Sequence, residues 1–180
     1  MGKITKPQRV KLIVGFIAQP GVIDQVSIFL AKKFGALDYQ SAVFDFDFTD
    51  YYTAEMGEIL KRQFVSFQKL IRLEVLADIK IFTNNLENKF LTCGRRRINI
   101  DPGAVNLAKL ILLTTKDYAH RIYIGKGIYA EVTLCFKNKT FTPCAWTYPD
   151  YRTQKYIEIF NNIRQIYGRQ LDGEGRVKSG

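Results

Sequence analysis

The 180 residues carry 47% hydrophobic and 24% charged side chains, enough for one real core and too apolar for a disordered chain. With 27 Lys and Arg against 17 Asp and Glu, the formal net charge of +10 attracts phosphate polyanions over a screening length of about 8–10 Å. No apolar run approaches the roughly 18–20 residues that span a bilayer, and the polar, basic start lacks the layout of a secretory leader, so a cytoplasmic protein without membrane contact is expected.

Residues 1–9 read as a basic arm. Lys11–Ala18 is an apolar run interrupted by Gly15 and ended by Gln19-Pro20, which predicts a buried strand. Val22, Val26, Phe29, Leu30 and Phe34 recur at helical spacing, and Gly35 supplies a stop. From Tyr39 to Phe48 the pattern alternates. Ala42, Phe44, Phe46 and Phe48 share one face, and Ser41, Val43, Asp45 and Asp47 the other, as a half-buried strand requires. Thr49–Glu58 is polar and Tyr-rich, a loop or a short helix, and Lys61–Gln68 reads as a third strand. Val75, Ile79, Phe82, Leu86 and Phe90 predict an amphipathic helix over Glu74–Leu91, broken by Gly94. Arg95–Ile100 alternates again.

The element order β-α-β-β-α-β belongs to the α+β class and predicts a ferredoxin-like core, an antiparallel sheet with two helices on one face. Asp101-Pro102-Gly103 then has the form of a helix start, with Asp as N-cap and Pro at the first position. Residues 104–113 would follow as a short buried helix. A strand is the rival reading, because the run is apolar all round. His120–Ile124 and Ile128–Phe136 flank Gly125-Lys126-Gly127 as a β-hairpin, and Asn138-Lys139 turns into Thr140–Pro143. Tyr156, Ile159, Phe160, Ile163 and Tyr167 mark a last helix, stopped by Gly168. One domain over 10–168 is expected: the ferredoxin-like core, extended by the short helix, the hairpin and the last helix, with 169–180 as a disordered tail.

Cys93, Cys135 and Cys144 are odd in number and lack CxxC spacing, so reduced core thiols are expected rather than zinc ligands or a disulfide framework.

Three stretches stand out together: Phe44-Asp45-Phe46-Asp47-Phe48-Thr49-Asp50-Tyr51-Tyr52, Arg95-Arg96-Arg97-Ile98-Asn99-Ile100-Asp101-Pro102-Gly103 and Trp146-Thr147-Tyr148-Pro149-Asp150-Tyr151. Between the last two lie Thr114-Thr115-Lys116-Asp117, His120-Arg121-Ile122-Tyr123 and Gly127-Ile128-Tyr129-Ala130-Glu131-Val132-Thr133-Leu134. In order and spacing the chain resembles, from about Val10 to Tyr151, a bacterial and archaeal family of small proteins classed only as a domain of unknown function. The resemblance implies no catalytic residues. Some members carry the label "GTP-binding protein", which this sequence does not support. It has no GxxxxGK[ST] loop between a strand and a helix, and no GxGxxG.

Four constellations carry candidate chemistry. Arg95, Arg96 and Arg97 are guanidiniums suited to phosphate, or else the solvated charge of an edge strand. Asp45 and Asp47 share a strand face, with Asp50 and Glu55 nearby. Such a pair can hold Mg²⁺ or divide acid and base roles, or simply form the polar face of the strand. Lys116, the sole histidine His120 and Arg121 could serve phosphate-ester chemistry, or His120 could be an ordinary hairpin residue. Glu131, inside an apolar strand, needs a partner, and Arg121 across the hairpin is one. Trp146, Tyr148, Tyr51 and Tyr52 could stack on a base or pack into turns.

The first functional expectation is a basic domain binding a phosphate-bearing ligand, RNA or a nucleotide, through Arg95, Arg96, Arg97, Lys116 and Arg121. The alternatives are a Mg²⁺-assisted enzyme of phosphoryl or nucleotidyl transfer or hydrolysis, with Asp45, Asp47, His120 and Glu131 as catalytic groups, and a structural or adaptor protein.

Overall fold

The computed structural model describes residues 2–177. In chain order its elements are β1 (Val10–Ala18), α1 (Ile23–Phe34), β2 (Leu37–Gln40), β3 (Phe44–Asp45), the single turn α2 (Thr53–Met56), β4 (Lys61–Ile71), α3 (Leu76–Lys89), β5 (Ile98–Val105), β6 (Lys109–Thr114), β7 (Ile122–Gly125), β8 (Ile128–Lys137), β9 (Thr140–Pro143) and α4 (Gln154–Val177). The architecture is α+β. Among the described residues the nine strands form one antiparallel sheet in the order β2-β4-β1-β5-β6-β8-β7, with β3 beside β4 and β9 beside β8.

β1 is buried along its whole length, and alternation sorts its side chains between two cores. Leu12, Val14, Phe16 and Ala18 pack with Val26 and Leu30 of α1 and Ile79 and Leu86 of α3. Ile13 points the other way, with Phe64 of β4, into a core closed by Tyr156, Ile159, Phe160 and Ile163 of α4. The sheet therefore carries α1 and α3 on one face and α4 on the other. α1 has Asp24 in its first turn and Lys32 and Lys33 in its last, matching the helix dipole. Gly35, at φ 100°, ends it by donating its N–H to Ala31 at 2.9 Å.

Several expectations are corrected. The alternating run Tyr39–Phe48 is not one strand but two short ones, β2 and β3, each paired with β4. Strand geometry begins at Ile98, and Arg95 sits in a turn bridged to Thr92. Residues 104–113 are the end of β5, a tight turn at 106–108 and most of β6, so Asp101 and Pro102 start no helix. The strand parts of the run are apolar because both sheet faces are covered there. Leu110 and Leu112 enter the α4 core, while Leu113 packs with Leu76 and Ala77 of α3. Gly168 does not stop α4, which continues to Val177. Tyr167 donates its hydroxyl hydrogen to Arg9 O, and the Gln170 amide donates to Gln68 O, each at 2.7 Å, so tertiary bonds carry the helix past the glycine. The proposed tail thus overlaps a helix to 177, and 178–180 lie outside the described residues. Residues 2–9 are exposed, without helix or strand. No described helix is long and apolar enough to cross a membrane.

One irregularity positions the site. β5 pairs with β1 from Ile98 to Val105, but with β6 only from Gly103 to Val105. Beyond Gly103 the sheet parts. The Ile100 N–H and C=O face the gap, and α3 side chains satisfy them. Glu87 Oε1 accepts the N–H at 2.7 Å, and Lys80 Nζ donates to the carbonyl at 2.9 Å. Two residues on, Pro102 faces the same gap with no hydrogen to donate, so its presence in mid-sheet costs no rung.

Candidate functional site in the gap between β5 and β6

The parted strands border a cavity of about 650 Å³, within the range of small-ligand pockets. Asn99 and Asp101 of β5, with Lys80 and Glu87 of α3 and Arg96, form one bank. Leu112, Thr114, Lys116, Arg121 and Glu131 form the other. The Phe46–Tyr52 loop and the Tyr148–Tyr151 turn complete the lining.

Arg62 of β4 is the most enclosed of the lining cations, with 1% of its side chain exposed. Its guanidinium lies 4.5 Å from the Phe64 ring centre and 5.5 Å from that of Tyr151. Nη2 donates to the Tyr151 hydroxyl at 2.6 Å, and Nη1 is 3.6 Å from Asp101 Oδ2. Nε is buried without a hydrogen-bond partner. Gly15 of β1 makes this arrangement possible: a Cβ there would lie 2.6 Å from the Phe64 ring and 2.9 Å from Arg62 Nη2. Asp101 is oriented by Asn99, whose amide donates to it at 2.9 Å, and has Lys80 at 4.0 Å.

The remaining cations are held in place by the same lining. Arg96 donates through Nε to Glu55 at 2.6 Å and through Nη1 to Asn99 at 3.4 Å, with the Tyr52 ring 5.9 Å away. Arg121 donates to Glu131 at 2.7 Å, to the Lys116 carbonyl at 3.0 Å and to the Tyr148 hydroxyl at 3.3 Å. Lys116 reaches the Tyr51 hydroxyl at 3.3 Å and lies 5.1 Å from that ring's centre. Tyr51 and Tyr52 thus connect the two banks, with their rings 5.1 Å apart and perpendicular.

Five cations (Arg62, Lys80, Arg96, Lys116 and Arg121) face four carboxyl groups (Glu87, Asp101, Glu131 and Asp150) across this lining. Burial pushes the Glu87 carboxyl up to about 7 against the pull of Lys80 and of the Ile100 bond, so near neutral pH it is partly uncharged. Burial also raises the Asp150 carboxyl, opposed by Arg62. Glu131 is committed to Arg121. Counting Glu55, which pairs with Arg96 from beside the lining, five cations meet five carboxyl groups, and the partial protonation of Glu87 leaves the balance slightly positive.

Of the residues singled out in the sequence, Arg96, Lys116, Arg121 and Glu131 line this one cavity, and His120 joins them through Glu131, its Nε2 3.2 Å from Oε2. His120 itself stacks between Tyr118 and Trp146, with ring centres 6.1 and 5.4 Å away. Arg95 and Arg97 are not part of the lining. Arg95 is exposed, and Arg97 donates to Gln19 at 2.8 Å. Asp45 and Asp47 also lie apart, beside Lys155 in a smaller hollow, with Asp45 exposed and 2.6 Å from Lys61. Among the described residues no three His, Cys, Asp or Glu side chains gather as a metal site. The cysteines are not core thiols: Cys93 is exposed, and Cys135 and Cys144 are half-buried.

Sequence reasoning missed Arg62, Lys80, Glu87 and Asp101. Two signals for Arg62 were present: an arginine at the head of an apolar strand run, and a glycine inside β1 that marks a close approach.

No curated protein and no solved structure matches the chain. Residues 8–167 match the family described as Domain of unknown function (DUF4416), and by this coverage of nearly its whole length the chain belongs to that family.

Proposed function

We propose that the gap between β5 and β6 binds a small phosphate-bearing ligand of nucleotide size. The observation that carries this reading is Arg62, a buried guanidinium beside this cavity with one N–H left unpaired. A buried donor without a partner costs about 1–3 kcal/mol, and an anion in the adjoining cavity would offset part of that through its charge. Lys116, Arg96 and Arg121 add cations on both banks. Lys116 engages a tyrosine rather than a carboxylate, so an incoming phosphate competes only with a weak contact.

The architecture favours a small ligand over an RNA strand. In this reading β1-α1-β2-β4-α3-β5, ordered β2-β4-β1-β5, is a ferredoxin-like split unit, and β6 to β9 with α4 are added at its β5 edge. Such a unit offers single-stranded RNA the sheet face away from its helices. Here α4 packs on that face, with Phe64 under Tyr156 and Phe160. Mg²⁺-assisted chemistry through Asp45 and Asp47 gains less support, since both lie outside the cavity that gathers Arg121 and Glu131.

The test is calorimetric titration with inorganic phosphate, pyrophosphate, nucleoside mono-, di- and triphosphates, and a single-stranded RNA. Lys116→Ala removes an exposed cation and leaves the core intact. It is expected to weaken the best phosphate ligand about 10- to 100-fold, the equivalent of one charge-assisted contact. Saturable binding that is unchanged in Lys116→Ala, or no binding by any of these compounds, would overturn the assignment.

A further inference from the structure

Cys135 on β8 and Cys144 just past β9 bring their sulfur atoms to 3.7 Å. Both side chains are half-buried rather than sealed, so a small oxidant can reach them. The backbone around them is pinned. Cys135 pairs with Thr142 across the β8–β9 ladder, and the Thr142 hydroxyl donates to the Cys135 carbonyl at 2.9 Å. The Cys144 N–H donates to Thr147 Oγ1 at 2.8 Å, and that hydroxyl donates to Thr133 O at 2.5 Å. Arg152 Nη2 donates to the carbonyls of Cys144 and Ala145 at 3.2 and 2.8 Å. A disulfide needs its sulfurs about 2.05 Å apart. The two sulfurs must close from 3.7 Å to that length for the bond to form.

We propose that Cys135 and Cys144 are a reversible redox-modification site, closed to an intrachain disulfide by hydrogen peroxide and reopened by thiols. The thiolate of one cysteine attacks the peroxide O–O bond, giving a sulfenic acid and releasing the other oxygen as water after protonation. The second sulfur attacks the sulfenic sulfur and expels hydroxide, which leaves as a second water. Two thiols are oxidised, one peroxide is reduced, and a small dithiol reverses the bond by exchange. Burial and the neighbouring Cys135 sulfur push the Cys144 thiol up, so closure accelerates with rising pH. The bond would tie to β8 the turn that continues into Tyr148, Pro149, Asp150 and Tyr151, all of which line the cavity.

The experiment uses the full chain carrying Cys93→Ser, which removes the exposed third thiol and with it crosslinking between molecules. The protein is treated with stoichiometric hydrogen peroxide, unfolded, alkylated and digested for mass spectrometry. The expected result is loss of both alkylatable thiols and one peptide pair joined through Cys135 and Cys144, lighter by two hydrogens and restored by dithiothreitol. Cys144→Ser, checked for folding by circular dichroism, is expected to leave a dimedone-trappable sulfenic acid at Cys135. Two thiols that remain fully alkylatable, or that advance to sulfinic acid without a linked peptide, would overturn the proposal.

Discussion

Replacing Glu87 with glutamine offers a direct reading of the electrostatics in the β5–β6 gap. Burial raises the Glu87 carboxyl from an ordinary 4.5 to about 7. The folded state therefore binds its proton more tightly than the unfolded chain does. Stability is unaffected by this group below the unfolded value. It falls as pH rises from 4.5 towards 7, and the full penalty stands above that. At roughly 1.4 kcal/mol for each tenfold in proton affinity, the penalty is about 3 kcal/mol. Glutamine keeps an oxygen to accept the Ile100 N–H and carries no charge to desolvate. Glu87→Gln is thus expected to match the parent protein at acid pH and to exceed it in mildly alkaline buffer by as much as about 3 kcal/mol. For a chain of this size that is a rise in Tm of about 6–12 °C. Thermal and urea unfolding followed by circular dichroism across this pH range measures both arms. A variant whose stability runs parallel to the parent at every pH, or that loses stability at alkaline pH, would refute the argument that an expensive buried carboxyl sits there.

Arg62→Met is expected to cost about 3 kcal/mol in urea unfolding, because it strips a buried partner from Asp101 and from the Tyr151 hydroxyl; a loss below about 1 kcal/mol would show that the guanidinium contributes little to the core. Gly15→Ala is expected to cost about 1–3 kcal/mol, since the added methyl collides with the Phe64 ring and Arg62 Nη2. Equal stability of the alanine variant would mean that the contact between β1 and β4 is looser than described.

Much of the fold was legible because local signals and tertiary demands agreed. The apolar run after Lys11, the helical spacing that ends at Gly35, and the Gly125-Lys126-Gly127 turn all correspond to observed elements. Asp101-Pro102-Gly103 misled because its residues suit a helix start in isolation. What decides its conformation is non-local: Asp101 answers Arg62, and Pro102 occupies the rung that β6 vacates. The Tyr39–Phe48 pattern alternated over more residues than the chain keeps in a strand, since β4 offers pairing in only two short stretches. The site was half legible. Lys116, Arg121 and Glu131 announced themselves through charge beside a hairpin. Lys80 and Glu87 looked like ordinary polar positions of an amphipathic helix, and nothing within α3 says that they cap the backbone of the strand that follows.

That two side chains, and not a neighbouring strand, hold the backbone of Ile100 makes the width of the gap a tunable dimension. A shorter or longer residue at position 80 or 87 would shift one wall against the other and leave the β1–β5 ladder untouched. Relatives built on this plan can therefore resize the chamber by point substitution on a single helix, with no insertion of loops and no rearrangement of strands.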